Sequence, residues 1–413
     1  MNTTDAGPDS ILRHPPFVLY WSARTCAAMG FQMLGVAVGW QMYALTGSAF
    51  DLGLVGLAQF LPAAAFMLVA GQVADRYDRR RLLQISQLIE GAAAAALALG
   101  AISGWASKGS ILAAVLVLGV GRAFDSPTQQ TLLPAVVPAA LFPRAVAASA
   151  STTQLATITG PAVSGALYLL GPTVPYATCC ALYLASVLLL AFVRSAPFLA
   201  TRTPINLAAF FAGIGYIRRN PIVLGVISLD LFAVLLGGTT ALLPIFASEV
   251  FHAGPEGLGL LRASPAIGAL AIMSLLTLFP LKRHVGRAMF VSVACFGLAT
   301  IAFALSTSFV LSMAALAALG AADAVSVVIR MTLVQIETPD AMRGRVNAVG
   351  SLFAGTSNQL GDFRAGTMAA WLGAIPAVLV GGVGILLVTA IWMRVFPALK
   401  DVDGFYAKRA NGE

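Results

Sequence analysis

The chain has 413 residues, of which 59% are hydrophobic and 10% charged, and it carries a net charge of +8. A soluble globular protein has about 25% charged residues, so there is too little polar surface here to cover water-exposed domains. These figures exclude a soluble enzyme and a disordered chain alike, and they leave a polytopic membrane protein.

A polar N-terminal tail, residues 1–16, precedes the first apolar run. The runs that follow are each long enough to cross a hydrocarbon core as a helix, which takes roughly 20 residues. They predict spans at 17–44, 50–74, 82–104, 109–133, 145–170 and 174–193, then at 221–248, 257–280, 287–306, 309–334, 346–370 and 374–396. The short alternating segments of a β-barrel are absent. The longest interval, 194–220, separates an N-terminal six-helix bundle (17–193) from a C-terminal one (221–396). The second part of that linker, 206–219, predicts an amphipathic helix at the membrane surface. Residues 397–413 form a C-terminal tail.

The cations set the orientation. With the N-terminus inside, nineteen of the 25 Lys and Arg residues fall in cytoplasmic segments, Lys108 falls outside, and Arg24, Arg122, Arg262, Arg330 and Arg364 lie within spans. Both termini are therefore expected in the cytoplasm. The positive charge faces anionic lipid headgroups, with no nucleic-acid partner expected. The polar first sixteen residues give no sign of a cleavable signal. Cys26, Cys179, Cys180 and Cys295 have neither metal-ligand spacing nor a disulfide framework and read as packing residues.

The halves also repeat each other. Thr131, Pro138 and Arg144 match Thr332, Pro339 and Arg345 at a constant offset of 201 residues. Duplication of a six-span unit is the layout of carriers in which two bundles rock about a central site.

Between the second and third spans the sequence reads Gly71-Gln-Val-Ala-Asp75-Arg76-Tyr77-Asp78-Arg79-Arg80-Arg81. It resembles the signature loop of the major facilitator superfamily, with Asp78 standing where that motif has glycine. Gly160-Pro161-Ala-Val-Ser-Gly165 in the fifth span is similar to the Gly-Pro motif of antiporters in that superfamily. Within it, the Asp-Arg-Tyr-Asp-Arg-Arg-Arg loop and the Pro339-x₅-Arg345 segment look most like the enterobactin-exporter branch of siderophore and drug effluxers. The resemblance implies an all-α membrane protein with twelve transmembrane helices in two pseudo-symmetric six-helix bundles. Gly71, Asp75, Arg76, Arg79 and Arg80 then form a conformational switch loop, Asp75 binding an arginine or a helix N-terminus in one state and releasing it in the other. Anchoring on the positive-inside side is the alternative for the arginines alone. Gly160, Pro161 and Gly165 read as a close helix-packing motif.

Ionisable groups inside a bilayer are costly unless paired or hydrated and so mark a pathway. Arg24 and Gln32 share a face of the first span. Arg122, Asp125 and Gln129 form one stripe of the fourth, for which a structural pair is nearly as good a reading as a functional one. In the tenth span Asp323 and Arg330 are two turns apart, so each needs an outside partner. Asp230 has no cation on its own helix, and Arg24 is the expected partner. Asn347, Ser351, Asn358 and Asp362 line the eleventh span, with Arg364 on another face. Glu90 reads as an interfacial or packing residue, and Asp51, Glu249 and Glu256 as solvated external groups. No histidine lies within a span, so proton coupling would fall to carboxylates.

No phosphate-binding loop, metal constellation or nucleophile elbow occurs, so no cofactor, no metal and no enzymatic activity are expected. The expectation is a monomeric bacterial inner-membrane transporter using protons to export an amphipathic drug or siderophore. The alternatives are metabolite uptake or exchange, lysolipid flipping, and a non-transporting sensor or scaffold.

Overall fold

The computed structural model describes residues 11–193, 207–281 and 283–404, leaving the rest of the predicted N-terminal tail, Arg194, Arg202 and most of the C-terminal tail outside the described residues. Among the described residues there is no strand. The helices run in the order α1 (Pro15–Thr46), α2 (Ala49–Arg76), α3 (Arg79–Ser103), α4 (Lys108–Val136), α5 (Phe142–Tyr168), α6 (Thr173–Phe192), α7 (Leu207–Arg219), α8 (Pro221–Gly237) and α9 (Thr239–Ile245). After a π-helical turn at Phe246–Val250 come α10 (Gly254–Leu278), α11 (Val285–Leu305), α12 (Phe309–Glu337), α13 (Asp340–Leu372), α14 (Ala374–Val395) and the short α15 (Pro397–Lys400).

Nine segments among the described residues are long and apolar enough to cross a membrane, the stretch from Pro221 to Val250 counting as one. Three more helices, α1, α5 and α13, have the length and fall short in apolarity. Each carries a polar stripe: Arg24 and Gln32 on α1, the Ser/Thr run from Ser149 to Thr159 on α5, and Ser351 to Arg364 on α13. A stripe of this kind lowers the mean hydropathy of a helix whose other side remains greasy. The predicted spans match these helices to within a few residues, except that the seventh is broken at Gly238.

The chain divides into two compact units, one of residues 1–38 and 61–205, the other of Gly39–Phe60 and residues 206–413. In the first, Phe17, Tyr20, Leu83, Leu132, Val136, Ala145 and Leu190 make a buried cluster from α1, α3, α4, α5 and α6. In the second, Val226, Leu229, Phe290, Val293, Ile329, Leu333 and Ile385 do the same for α8, α11, α12 and α14. Lipid is as apolar as these side chains, so fit and internal hydrogen bonds, rather than water exclusion, hold such helices together. Ser186 Oγ donates to Ala23 O at 2.7 Å, and Trp392 Nε1 to Ser228 Oγ at 2.9 Å. The internal repeat has a structural echo: α4 and α12 are both 29 residues long and start 201 residues apart, as do α6 and α14.

The amphipathic segment forms α7 and packs its apolar side on α8, α12 and α13, where Ile217 joins Val223, Ile227, Val334, Val346 and Val349. Tyr216 anchors it by donating its hydroxyl to Glu337 O.

The loop before α3 shows why Asp78 works where the motif has glycine. Its φ of −57° needs no glycine, and its carboxylate accepts the N–H groups of Arg80 and Arg81 as the N-cap of α3. Loss of an N-cap acid costs about 1 kcal/mol, whereas glycine at the same place costs a few tenths. Asp78→Ala should therefore lower the melting temperature in detergent while Asp78→Gly stays near the parent. Equal melting of all three would remove the cap from the account.

Candidate functional site

In the first unit α1, α4 and α5 surround a cavity of about 160 Å³ lined by Arg24, Phe31, Gln32, Arg122, Gln129 and Thr153, among others. Arg24 donates to Tyr20 Oη at 3.4 Å and to Thr153 Oγ1 at 3.2 Å. Gln32 donates to Thr157 Oγ1 at 2.7 Å. The sequence stripe on α4 closes into a bonded set. Arg122 pairs with Asp125 at 3.2 Å, and Gln129 Nε2 donates to the same carboxylate at 2.5 Å. Gln87 of α3 supplies another bond at 3.4 Å. The Arg122 guanidinium also lies 4.1 Å from the ring centre of Phe31, a cation–π contact. Asp125 is 1% exposed, while the Arg122 side chain is 37% exposed and faces the cavity. The acid is thus buried, with its cation at the wall.

Gly160 sets how near α5 comes to α1. A Cβ there would lie 2.7 Å from Gln32 Cβ. Pro161 and Gly165 are buried beside it, and Ser164 Oγ donates to Met33 O at 2.8 Å. Gly160→Leu should separate the two helices at a cost of about 1–3 kcal/mol, read as a lowered melting temperature together with loss of the Gln32–Thr157 geometry. An unchanged melt would show slack at this crossing.

The residues of the loop between α2 and α3 lie at one end of the same unit. Arg79 donates to Thr131 O at 3.2 Å, and Arg80 to Ala191 O and Val193 O at 3.3 and 3.0 Å. Both arginines therefore neutralise carbonyls at or near the C-terminal ends of α4 and α6, where a helix presents partial negative charge. Arg76 is exposed, and a Cβ on Gly71 would meet nothing within 4 Å. The Asp75 side chain lies outside the described residues.

The second unit holds the other intramembrane charges. Asp230 is paired with Arg330 of α12 at 3.3 Å. Arg330, rather than Arg24, is thus the cation that Asp230 uses, and it comes from a neighbouring helix invisible in the local sequence. Asp323 lies within electrostatic reach of both. Asn358 is exposed and turns its amide onto Ala354 O of its own helix.

Asp362 and Arg364 bracket the broken seventh span. At Gly238, φ is +50°, so α8 ends in a left-handed turn that disfavours side chains. The carbonyls released there are taken up by Arg364, whose Nε donates to Leu235 O at 2.9 Å and whose Nη2 donates to Leu236 O. On the other side of the break Asp362 accepts the backbone N–H of Ala241, the third residue of α9. Arg262 of α10 interacts electrostatically with Asp362. A cation thus meets a helix C-terminus and an anion meets a helix N-terminus, each the favourable sense. Sequence reasoning missed this arrangement. The one available signal was Gly237-Gly238 in the middle of an apolar run.

One other reading needs correction. Asp51 is 5% exposed rather than solvated, because it sits in the first turn of α2, where its own N–H is held by Ser48 Oγ at 3.3 Å. Glu90, read as interfacial or packing, is 1% exposed in the protein core, which agrees with packing and not with a lipid interface. Glu249 and Glu256 are exposed as expected, and Glu249 also accepts a hydrogen bond from Tyr43. All four cysteines are free.

Long apolar helices that keep their charges inside, around a polar cavity, define a polytopic helical membrane transporter. The chain belongs to the family described as transmembrane secretion effector, within the major facilitator superfamily, whose sequence profile matches residues 6–409. It is similar to the enterobactin exporter EntS of Citrobacter koseri, with 27% identity over 398 residues, 94% of this chain and 93% of that protein. EntS of Escherichia coli O1:K1 is 26% identical over the same shares. Among solved structures, the POT family transporter PepTSo superposes with a TM-score of 0.73 at 11% identity, over 94% of this chain and 99% of that one. The nucleoside transporter NupG gives 0.70 at 15% identity, over 92% and 100%. These two share the fold. The chain is a transporter and not an enzyme.

Proposed function

We propose that the protein exports an anionic or phenolic amphipathic small molecule of the siderophore type in exchange for protons. The observation that carries this reading is the cavity in which Arg24 and Arg122 stand together with Gln32, Gln129 and the ring of Phe31. Two guanidiniums offer paired donors to anionic oxygens, and an aromatic wall suits a catechol or another flat ring. Enterobactin export, the activity named for the similar EntS proteins, agrees with that chemistry. Buried carboxylates in both units (Asp125, and Asp230 beside Arg330) supply groups able to take and give protons.

In this reading twelve helices cross a bacterial inner membrane as a monomer with both termini in the cytoplasm. The two bundles alternate access, and the Asp75–Arg80 loop biases the exchange between states. Inside-out vesicles loaded by overexpression and supplied with labelled enterobactin test the reading. Acidifying the vesicle interior should drive accumulation, and a protonophore should abolish it. Accumulation indifferent to the proton gradient, or seen only in right-side-out vesicles, would overturn proton-driven export and favour uptake or exchange.

A further inference from the structure

We propose that Glu90 carries the exchangeable proton of the first unit, in a closed cluster with Asp125; this rests on the export reading above and names its proton site. Glu90 projects from α3 into the space between α3, α4 and α6. It is 1% exposed, and among the described residues no charged or amide donor reaches Oε1 or Oε2. Space for it is made by Gly121 of α4, where a Cβ would stand 2.7 Å from Glu90 Cγ. The hydroxyl of Tyr183, from α6, is likewise fully buried and is the one donor among the described residues turned towards Glu90. Asp125 and Arg122 interact with Glu90 electrostatically.

The charged and amide donors around this cluster are all directed elsewhere, which leaves Glu90 the neutral hydroxyl of Tyr183. Arg122, Gln129 and Gln87 are spent on Asp125. Arg24 of α1 is bound to Tyr20 and Thr153. Ser186 of α6 donates to Ala23 O and to Gln87 Oε1. One guanidinium therefore faces two carboxyls, and the fully provisioned one is Asp125. An ionised carboxylate left in a low-dielectric core with one neutral donor and no cation of its own is the unfavourable arrangement. A neutral carboxylic acid fits the same space.

The two carboxyls differ in access. Glu90 is sealed, whereas Asp125 connects through Arg122 to the cavity wall. The step follows from that connection. The O–H bond of Glu90 breaks as an O–H bond forms on Asp125, so that one proton moves and the pair keeps a single negative charge. Asp125, now neutral, no longer holds Arg122 as a charge partner. The guanidinium is then free for an anionic oxygen of cargo in the cavity. Asp125 passes that proton to the cavity water on the cytoplasmic side. After the cargo leaves on the other side Arg122 returns to Asp125, and a proton from the water there crosses Asp125 to reload Glu90. One proton thus enters for each cargo exported. Glu90 thus acts on cargo only through Asp125 and Arg122, as a positioning residue with a proton of its own.

Infrared difference spectra of the purified full chain in detergent, combined with enterobactin-driven proton movement in proteoliposomes, test the assignment. The parent should show a carboxylic-acid C=O band that shifts in deuterium oxide. Glu90→Gln should lose it, and Glu90→Asp should keep it at a displaced frequency. Proton movement on addition of enterobactin should fall to the level of empty liposomes in Glu90→Gln and persist, slowed, in Glu90→Asp. An acid band unchanged in Glu90→Gln, or proton movement equal to the parent, overturns the proposal. Should Glu90→Gln fail to fold, an unshifted band in Glu90→Asp overturns it equally. A parent that shows the Glu90 band yet moves no protons with enterobactin would leave the proton site standing and refute proton-driven export.

Discussion

Replacing Arg364 with alanine should leave little folded protein. Its guanidinium holds Leu235 O and Leu236 O where α8 stops at Gly238, inside a span where no water is at hand for them. Each charge-assisted bond to a carbonyl contributes about 1.5–3 kcal/mol, and unsatisfied backbone groups inside a bilayer are the costliest kind. A loss of about 3–5 kcal/mol is expected, a large part of the marginal stability of any domain. Thermal unfolding and monodispersity in detergent read it directly. Arg364→Lys keeps the charge but cannot reach both carbonyls in one plane, so it should fall between alanine and the parent. A parental melting temperature for Arg364→Ala would mean that the break is held by something else.

The second large effect concerns Asp230 and Arg330. Removing either one strands a buried opposite charge, which costs about 3–5 kcal/mol. Asp230→Asn and Arg330→Gln should each lower the melting temperature sharply. The double variant, which leaves only Asp323 without its cation, should recover part of that loss, giving a coupling energy well above the few tenths of a kcal/mol seen for independent sites. Transport separates structure from coupling. If the pair takes part in proton exchange, the double variant folds well and still fails to drive enterobactin into acidified inside-out vesicles. Full activity in the double variant would reduce the pair to a packing device. Additive single effects would mean that the 3.3 Å contact carries no energy of its own.

Some of the site was legible in the chain because it is local. Arg122, Asp125 and Gln129 are three and four residues apart on one helix, so their spacing alone puts them in contact. Arg24 and Gln32 lie two turns apart, which placed them on one wall. The helix ends were for the most part equally readable, since the apolar runs stop at Gly, Pro and Arg, whereas the capping of α3 by Asp78 came only from the structure. Misreadings occurred where partners come from other helices. Asp230 gives no hint in its own span that Arg330, one hundred residues on, is its cation. Glu90 looks like any isolated acid until Gly121 and Tyr183 close around it. Asp51 looks terminal and solvated, yet it is buried in the first turn of α2.

By itself the sequence determined the solvent, the long apolar helices, the 201-residue internal repeat and the family loop. These follow from composition, from a 1.5 Å rise set against a bilayer of fixed thickness, and from spacing within single helices. Only the tertiary structure decided which charge meets which, and that the seventh span breaks at Gly238 with Arg364 and Asp362 on either side. It also decided that Glu90 ends in a closed space beside Tyr183, with no cation of its own. Such pairings depend on the rotation and depth of each helix against its neighbours. Those are fixed by close side-chain fit at places such as Gly160 and Gly121, a property of surfaces brought together and not of any stretch of chain read alone.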